Sequence, residues 1–272
     1  MAREIKPYEE LELKDDFMFG LIMHDPKYVK PFLEMILKIK IRKVVYPQSQ
    51  KSIDLSANAK AIRLDVYVED DQNTVFNLEM QTSDNRNLPK RMRYYQGVID
   101  LNILQKGQDY TKLKKSYVIF ICTFDPFGEG RHIYTFCNIC QENTALTLDD
   151  DAVKIILSTK GTMDDVSPEM KRILDYIDGK GASDKFTEEL EEAVRSARQN
   201  ESWRLGYMTL EYEYRQRYEE GLKEGEETGI AKTNERSIRK LYKRGESIAS
   251  IAEFVELDEE AVKRIIKAMG LE

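Results

Sequence analysis

Three residues combine acid and amide chemistry at a spacing that paired strands would bring together: Asp65, Glu79 and Gln81, in the order D-(x)13-E-x-Q. Two carboxylates a hairpin apart suit a hard divalent cation, Mg²⁺ (or Mn²⁺), which takes oxygen ligands and leaves positions for water and substrate phosphate. The Met80 carbonyl, between Glu79 and Gln81, is a further oxygen. A cation so held polarises a phosphoryl oxygen and helps to generate an attacking hydroxide. Gln81 can position that water through its amide but brings no positive charge. Spacing alone does not decide the matter. A solvated strand face with incidental acidic residues is the commoner source of a D…E-x-Q pattern.

The elements that must position these side chains lie in residues 62–81. Ile62, Leu64, Val66 and Val68 alternate with Arg63, Asp65, Tyr67 and Glu69; Phe76, Leu78 and Met80 alternate with Val75, Asn77, Glu79 and Gln81. Alternation of this kind predicts two half-buried strands, and the polar link between them predicts a hairpin. Opposite residues of an antiparallel pair share a face. Setting Asp65 against Glu79 also sets Leu64 against Met80, Val66 against Leu78 and Val68 against Phe76. Every apolar side chain then falls on one face, and Asp65, Glu79 and Gln81 share the other. The loop is Asp71-Gln72-Asn73, with Asn73 where a left-handed residue is needed. A slip of one residue would invert the pattern.

The flanking segments supply the frame. A helix is predicted over about 88–104, buried along Leu88, Met92, Tyr95, Ile99 and Asn102 with Val98 and Leu101 beside them. Its first half is basic and aromatic. Lys90, Arg91, Tyr94 and Tyr95, with Arg86 and Arg93, read either as phosphate contacts beside the site or as a solvated face. The apolar run 116–122 reads as a fully buried strand. A turn at Asp125-Pro126-Phe127-Gly128, strands near 132–136 and 153–157, and a helix opening at Ser167-Pro168-Glu169 follow. Upstream, helices are expected over 13–23 and 29–39, and an edge strand at 44–46 before Pro47. Asp16 is either a cap or a residue approaching the site.

The whole chain narrows the function classes. At 272 residues it accommodates one sizeable domain and a smaller appendage. Charged residues make up 33%, which suggests extended solvated helices, and the net charge of −7 argues against non-specific coating of nucleic acid without excluding a local basic groove. Three cysteines cannot form an all-paired disulfide framework and suit a reducing compartment. No apolar run is long enough to span a membrane, and the N-terminus lacks a signal-peptide core, so a cytoplasmic protein without membrane association is expected. Cys137-x-x-Cys140, with His132 and Cys122 near, lacks the second Cys pair of a zinc site. No phosphate-binding G-x-x-x-x-G-K-[ST] loop or G-x-S-x-G elbow is present.

From about 184 to 230 helix formers dominate, predicting one long helix. Gly221, Gly225 and Gly229 recur every four residues. They read equally as a close-approach face, giving a homodimer through the C-terminal helices, or as a flexible linker. Residues 234–267 resemble a helix-turn-helix: Ile238, Leu241 and Tyr242 before Gly245, then caps at Ser247 and Asp258. Eight Lys/Arg balance eight Asp/Glu from 234 to 272. That balance favours an interaction module over a DNA reader.

Taken as a linked series, Leu64-Asp65-Val66, Asn77-Leu78-Glu79-Met80-Gln81, Arg91-x-x-Tyr94-Tyr95, Lys106-Gly107-x-x-Tyr110, the strand 117–122 and Phe124-Asp125-Pro126-Phe127-Gly128 resemble the PD-(D/E)XK nuclease superfamily. More closely, they resemble its recombination-promoting nuclease / putative transposase family, which Asp16-x-x-Phe19 also matches. The resemblance covers roughly residues 14–136. It implies an α/β fold, a restriction-endonuclease-like mixed β-sheet flanked by helices, here with a long helical C-terminal extension and a small helical unit. It implies metal-dependent cleavage of DNA, with Asp65 and Glu79 as metal ligands and Gln81 in the position of the superfamily's lysine. The division expected is a nuclease-like domain at 1–182, a helical extension at 183–233 and a helix-turn-helix-like unit at 234–272. A non-catalytic binding or assembly protein that keeps the fold is the alternative.

Overall fold

The computed structural model describes residues 5–46, 52–53, 62–63 and 65–271. In chain order the elements are α1 (Asp16–Met23), α2 (Pro26–Leu37), β1 (Val44–Val45), β2 (Ser52–Ile53), β3 (Ile62–Arg63), β4 (Val66–Asp70), β5 (Val75–Gln81), α3 (Leu88–Ile103), β6 (Ser116–Cys122), β7 (Ile133–Phe136), β8 (Ala152–Ser158), α4 (Pro168–Ile177), α5 (Lys185–Arg198), α6 (Glu201–Lys243), α7 (Ile248–Val255) and α8 (Glu259–Ala268). Packing separates Met1–Leu205 from Gly206–Glu272.

The first unit is built on a mixed six-stranded sheet in the order β1-β4-β5-β6-β8-β7. β4 and β5 form the expected antiparallel hairpin, with Val66 opposite Leu78 and Val68 opposite Phe76. The Asp70 N–H donates to the Thr74 carbonyl at 3.0 Å, and Asn73 takes φ 63°, so the parity argument fixed both register and loop. β5 and β6 are parallel, as are β6 and β8, which places the apolar run of β6 at the centre of the sheet.

Two features of the hairpin differ from the sequence reading. The first run is not one strand: Ile62–Arg63 pairs with Ser52–Ile53 in a separate two-stranded ribbon, and β4 begins only at Val66. The Leu64–Met80 pair lies outside the described residues. The second strand is not half-buried either; all seven residues of β5 are buried. A parallel strand between two others is covered on both faces when helices lie above and below it. Here α3 covers one face through Leu88, Met92, Tyr95, Val98 and Ile99, which pack with Tyr67, Val75, Val118 and Phe120. Phe76, Leu78 and Met80 point to the other side, against which α1 packs. Leu101, assigned to the buried side of α3, is 67% exposed.

The predicted single helix after residue 184 is two. Asn200 ends the first and caps the second, its Oδ1 accepting from the Ser202 and Trp203 N–H groups at 3.0 and 3.2 Å. Before that break α5 belongs to the first unit: the Tyr8 hydroxyl donates to the Ala197 carbonyl at 2.6 Å and Arg198 Nε to the Leu11 carbonyl at 2.7 Å. α6 runs unbroken through Gly221, Gly225 and Gly229, where an added Cβ would meet nothing within 4 Å.

In the second unit Ile238 of α6 packs with Ile251, Ala252 and Val255 of α7 and with Val262 and Ile266 of α8. The first helix of this bundle is therefore the end of α6, not a separate helix starting at Asn234. Gly245 (φ 83°) stops it, and Ser247 and Asp258 cap α7 and α8 by accepting from Ser250 N (3.2 Å) and Ala261 N (2.6 Å).

Candidate active site

β5 ends at a cleft of about 410 Å³ lined by Lys14, Asp15 and Asp16 at the start of α1, Asp65 ahead of β4, Glu79 to Ser83, Asn85, and Arg91 and Tyr95 of α3. Asp65 and Glu79 meet there through the backbone. The Asp65 N–H donates to Glu79 Oε1 at 3.2 Å, and the Met80 N–H donates to Asp65 Oδ2 at 3.0 Å. The Asp65 side chain thus stands where the backbone of a longer β4 would have paired. Gly20 lets α1 close over this point: a Cβ there would lie 3.3 Å from the Asp65 carbonyl. One turn earlier on the same helix, Asp16 lines the same cleft. That settles the choice left open for Asp16 by its type alone: it lines the cleft.

Glu79 is 3% exposed. Burial first, and the neighbouring Asp65 charge second, push its carboxyl well above the usual carboxylate range. Donors from Asp65 N–H and from Asn77 Nδ2, at 3.2 Å, only partly offset this. The Arg91 charge also acts in the favourable direction.

Gln81 is buried at the same edge. Its Nε2 donates to the Ser83 carbonyl at 2.6 Å, and its Oε1 accepts a short hydrogen bond from Arg91. Arg91 also donates to the Tyr95 hydroxyl at 3.2 Å and lies over the Phe120 ring, 5.2 Å from its centroid. The i, i+4 pair Arg91 and Tyr95 therefore turns inward, while Lys90, Arg93 and Tyr94 face solvent. The sequence places Tyr95 on the buried stripe, and it turns inward as expected; grouping Arg91 with the outward Lys90 and Tyr94 missed that Arg91 turns inward with it. The signal was present, since Arg91 and Tyr95 share helical phase with the buried Leu88 and Met92.

The donor set fits a divalent cation. Two hard carboxylates converge on one cleft, and burial first, then the neighbouring Asp65 charge, disfavours the ionised form of Glu79. Among the described residues no three His, Cys, Asp or Glu side chains form a metal-holding group. Asp65 and Glu79 would be the ligands, with water completing the set, as Mg²⁺ tolerates. The other cysteine-rich segment offers no such fit. Cys122 is buried in β6 with its thiol pushed up to about 12 by burial, Cys137 is exposed, and His132 is bonded to Asp165.

A family model described as a PD-(D/E)XK nuclease family transposase matches residues 14–232. This chain belongs to that family. Comparison with curated proteins and with solved structures finds no match. The mixed sheet flanked by helices is the fold this PD-(D/E)XK family member was expected to have, and the family carries a nuclease-related, mobile-element function. The family also implies a DNA substrate. Among the described residues no helix is long and apolar enough to cross a membrane.

Proposed function

We propose that this PD-(D/E)XK family member is a Mg²⁺-dependent DNA endonuclease that hydrolyses phosphodiester bonds in mobile-element or foreign DNA. The observation that carries the reading is the reciprocal engagement of Asp65 and Glu79 in one cleft, with Arg91 delivered to the same edge through Gln81. A bound divalent cation supplies Lewis-acid polarisation of the phosphodiester and acidification of water. Asp65 and Glu79 would hold it, each with one carboxylate oxygen fixed by a backbone N–H: Asp65 Oδ2 by Met80 and Glu79 Oε1 by Asp65. Gln81 keeps one amide hydrogen and one lone pair beyond its bonds to Ser83 and Arg91, enough to orient a water. Arg91 offsets negative charge that grows on the phosphoryl oxygens. The outward Lys90 and Tyr94 contact the DNA backbone. We assign the activity to the first unit, residues 1–205, which takes in α5 beyond the expected limit at 182, with the rest of α6 as extension and its end, with α7 and α8, as terminal unit.

A second reading has one observation in its favour. Both ends of the Gln81 amide are already engaged by protein groups, as in a site settled into a structural role. On that reading the chain is a nuclease-fold binding or assembly module. Supercoiled-plasmid nicking separates the two. The endonuclease nicks with Mg²⁺, stops in EDTA, and loses at least about a hundredfold in rate on Asp65→Ala with its circular dichroism retained. Full Mg²⁺-dependent cleavage by a folded Asp65→Ala protein would refute the assignment.

A further inference from the structure

We propose that one face of α6, carrying Lys232, Arg236, Arg239, Lys240 and Lys243, is a docking surface for the phosphate backbone of duplex DNA. At 3.6 residues per turn these five cations fall within an arc of about 100°, opposite the direction of Ile238. Ile238 is fully buried in the terminal bundle, whereas all five cations are exposed. Arg244, in the turn that follows, flanks the same face. The balanced charge of residues 234–272 conceals a partial segregation: five of its eight basic residues lie on α6 or in the turn after it, Lys263, Arg264 and Lys267 lie on α8, and Glu246, Glu253, Glu256, Asp258, Glu259 and Glu260 fall between the two groups.

Some exposed helical cations have acidic partners, as Arg195 has in Glu192 and Lys263 in Glu260, both at 2.8 Å. None of the five α6 cations forms an ion pair among the described residues. The macrodipole accounts for Lys240 and Lys243 in the last turn, but it fades within that turn and leaves Lys232 and Arg236 unexplained. A row of cations about 17 Å long matches a stretch of duplex that carries roughly five phosphates per strand. The occupant is DNA rather than an acidic protein because the chain's family acts on DNA, and in this respect alone the inference rests on the nuclease reading. The helix that would enter the groove in a helix-turn-helix, α8, opens on the exposed Glu259 and Glu260. Acidic residues there repel phosphate, so the duplex lies along α6 instead.

Fluorescence anisotropy of a labelled 20-base-pair duplex (about two helical turns), titrated with the full chain in EDTA across about 50–200 mM salt, tests this. Arg236→Gln/Arg239→Gln/Lys243→Gln lowers the slope of log K against log salt by about 2–3, because each lost phosphate contact removes roughly 0.9. Affinity at the middle of that range falls at least about tenfold. Arg236→Lys/Arg239→Lys keeps slope and affinity, and thermal melting by circular dichroism shows both proteins folded. An unchanged slope in the folded triple variant overturns the proposal, as does equal loss in the charge-conserving variant, or a change confined to oligomeric state. Binding without metal is independent of nicking. An active wild type with an unchanged slope sinks only the docking surface; a lowered slope with no nicking sinks only the nuclease.

Discussion

Arg91 of α3 donates to the side-chain oxygen of Gln81 on β5, so the positive charge at this site enters from the helix and not from the strand. The superfamily pattern places lysine at the Gln81 position. On the proposed nuclease reading the pair divides that role, the strand residue providing an amide and the helix residue the charge.

The division predicts a charge exchange. Arg91→Ala lowers the single-turnover nicking rate by about 10²–10³, the usual loss for one preorganised donor. Gln81→Lys alone sets two cations against each other and is also impaired. Gln81→Lys combined with Arg91→Gln recovers at least about tenfold over either single change. Additive losses in the double variant would show that Arg91 acts independently of Gln81.

Glu79 predicts an opposition between activity and stability. Its carboxyl is raised in the folded protein above the ordinary 4.5, so without metal the unfolded chain ionises first as pH rises. Stability therefore falls from about that pH upward until the folded carboxyl also ionises. Glu79→Gln removes this loss. In EDTA at neutral pH its Tm exceeds wild type by at least about 2 °C, the shift that roughly 1 kcal/mol produces in a domain of this size. The gap closes near pH 4, and the variant does not nick. Mg²⁺ raises the wild-type Tm and leaves that of the variant unchanged. A variant no more stable than wild type at every pH refutes the burial argument.

Away from the cleft, His132 and Asp165 clamp the segment after β8. The Asp165 carboxylate accepts from the His132 N–H at 3.1 Å and is bonded to His132 Nδ1 at 2.8 Å. Gly161 lies so close to the ring that a Cβ there would stand 2.4 Å from His132 Cγ. Burial raises the Asp165 carboxyl, but the His132 bonds outweigh it and hold the group below its ordinary 3.8. The stabilisation is present above that pH and lost as pH falls through the folded value. Asp165→Asn costs about 1–3 kcal/mol at pH 7 by urea unfolding, a penalty that shrinks as pH falls through the lowered folded value. A penalty that persists undiminished in acid assigns the clamp to shape rather than charge.

Much of the hairpin was legible because alternation constrains register absolutely: one residue of slip moves Val66 and Val68 out of the core. Asn73, the caps at Ser167, Ser247 and Asp258, and the buried β6 were legible for similarly local reasons. The second face of β5 was not. Asn77, Glu79 and Gln81 look like solvent-facing residues until α3 is placed over them, and the basic residues of α3 disguise its inward side. Nor did the break at Asn200 stand out, since no glycine or proline marks it and the cap lies among equally polar neighbours. Asp16 entered the cleft through α1, an element whose position depends on the long-range contact between Gly20 and Asp65.

That Asp65 side chain also has an architectural duty. Its carboxylate completes the hydrogen bonding of Met80 just where β4 has run out, so the residue proposed to hold the cation is also the keystone that finishes the sheet edge. Descendants of this protein cannot discard the reaction at Asp65 and keep the scaffold untouched. Substitution there leaves the Asp65 N–H on Glu79 but uncaps the Met80 amide and removes a proposed cation ligand in one step, so decay of catalysis and loosening of the fold are coupled at a single codon.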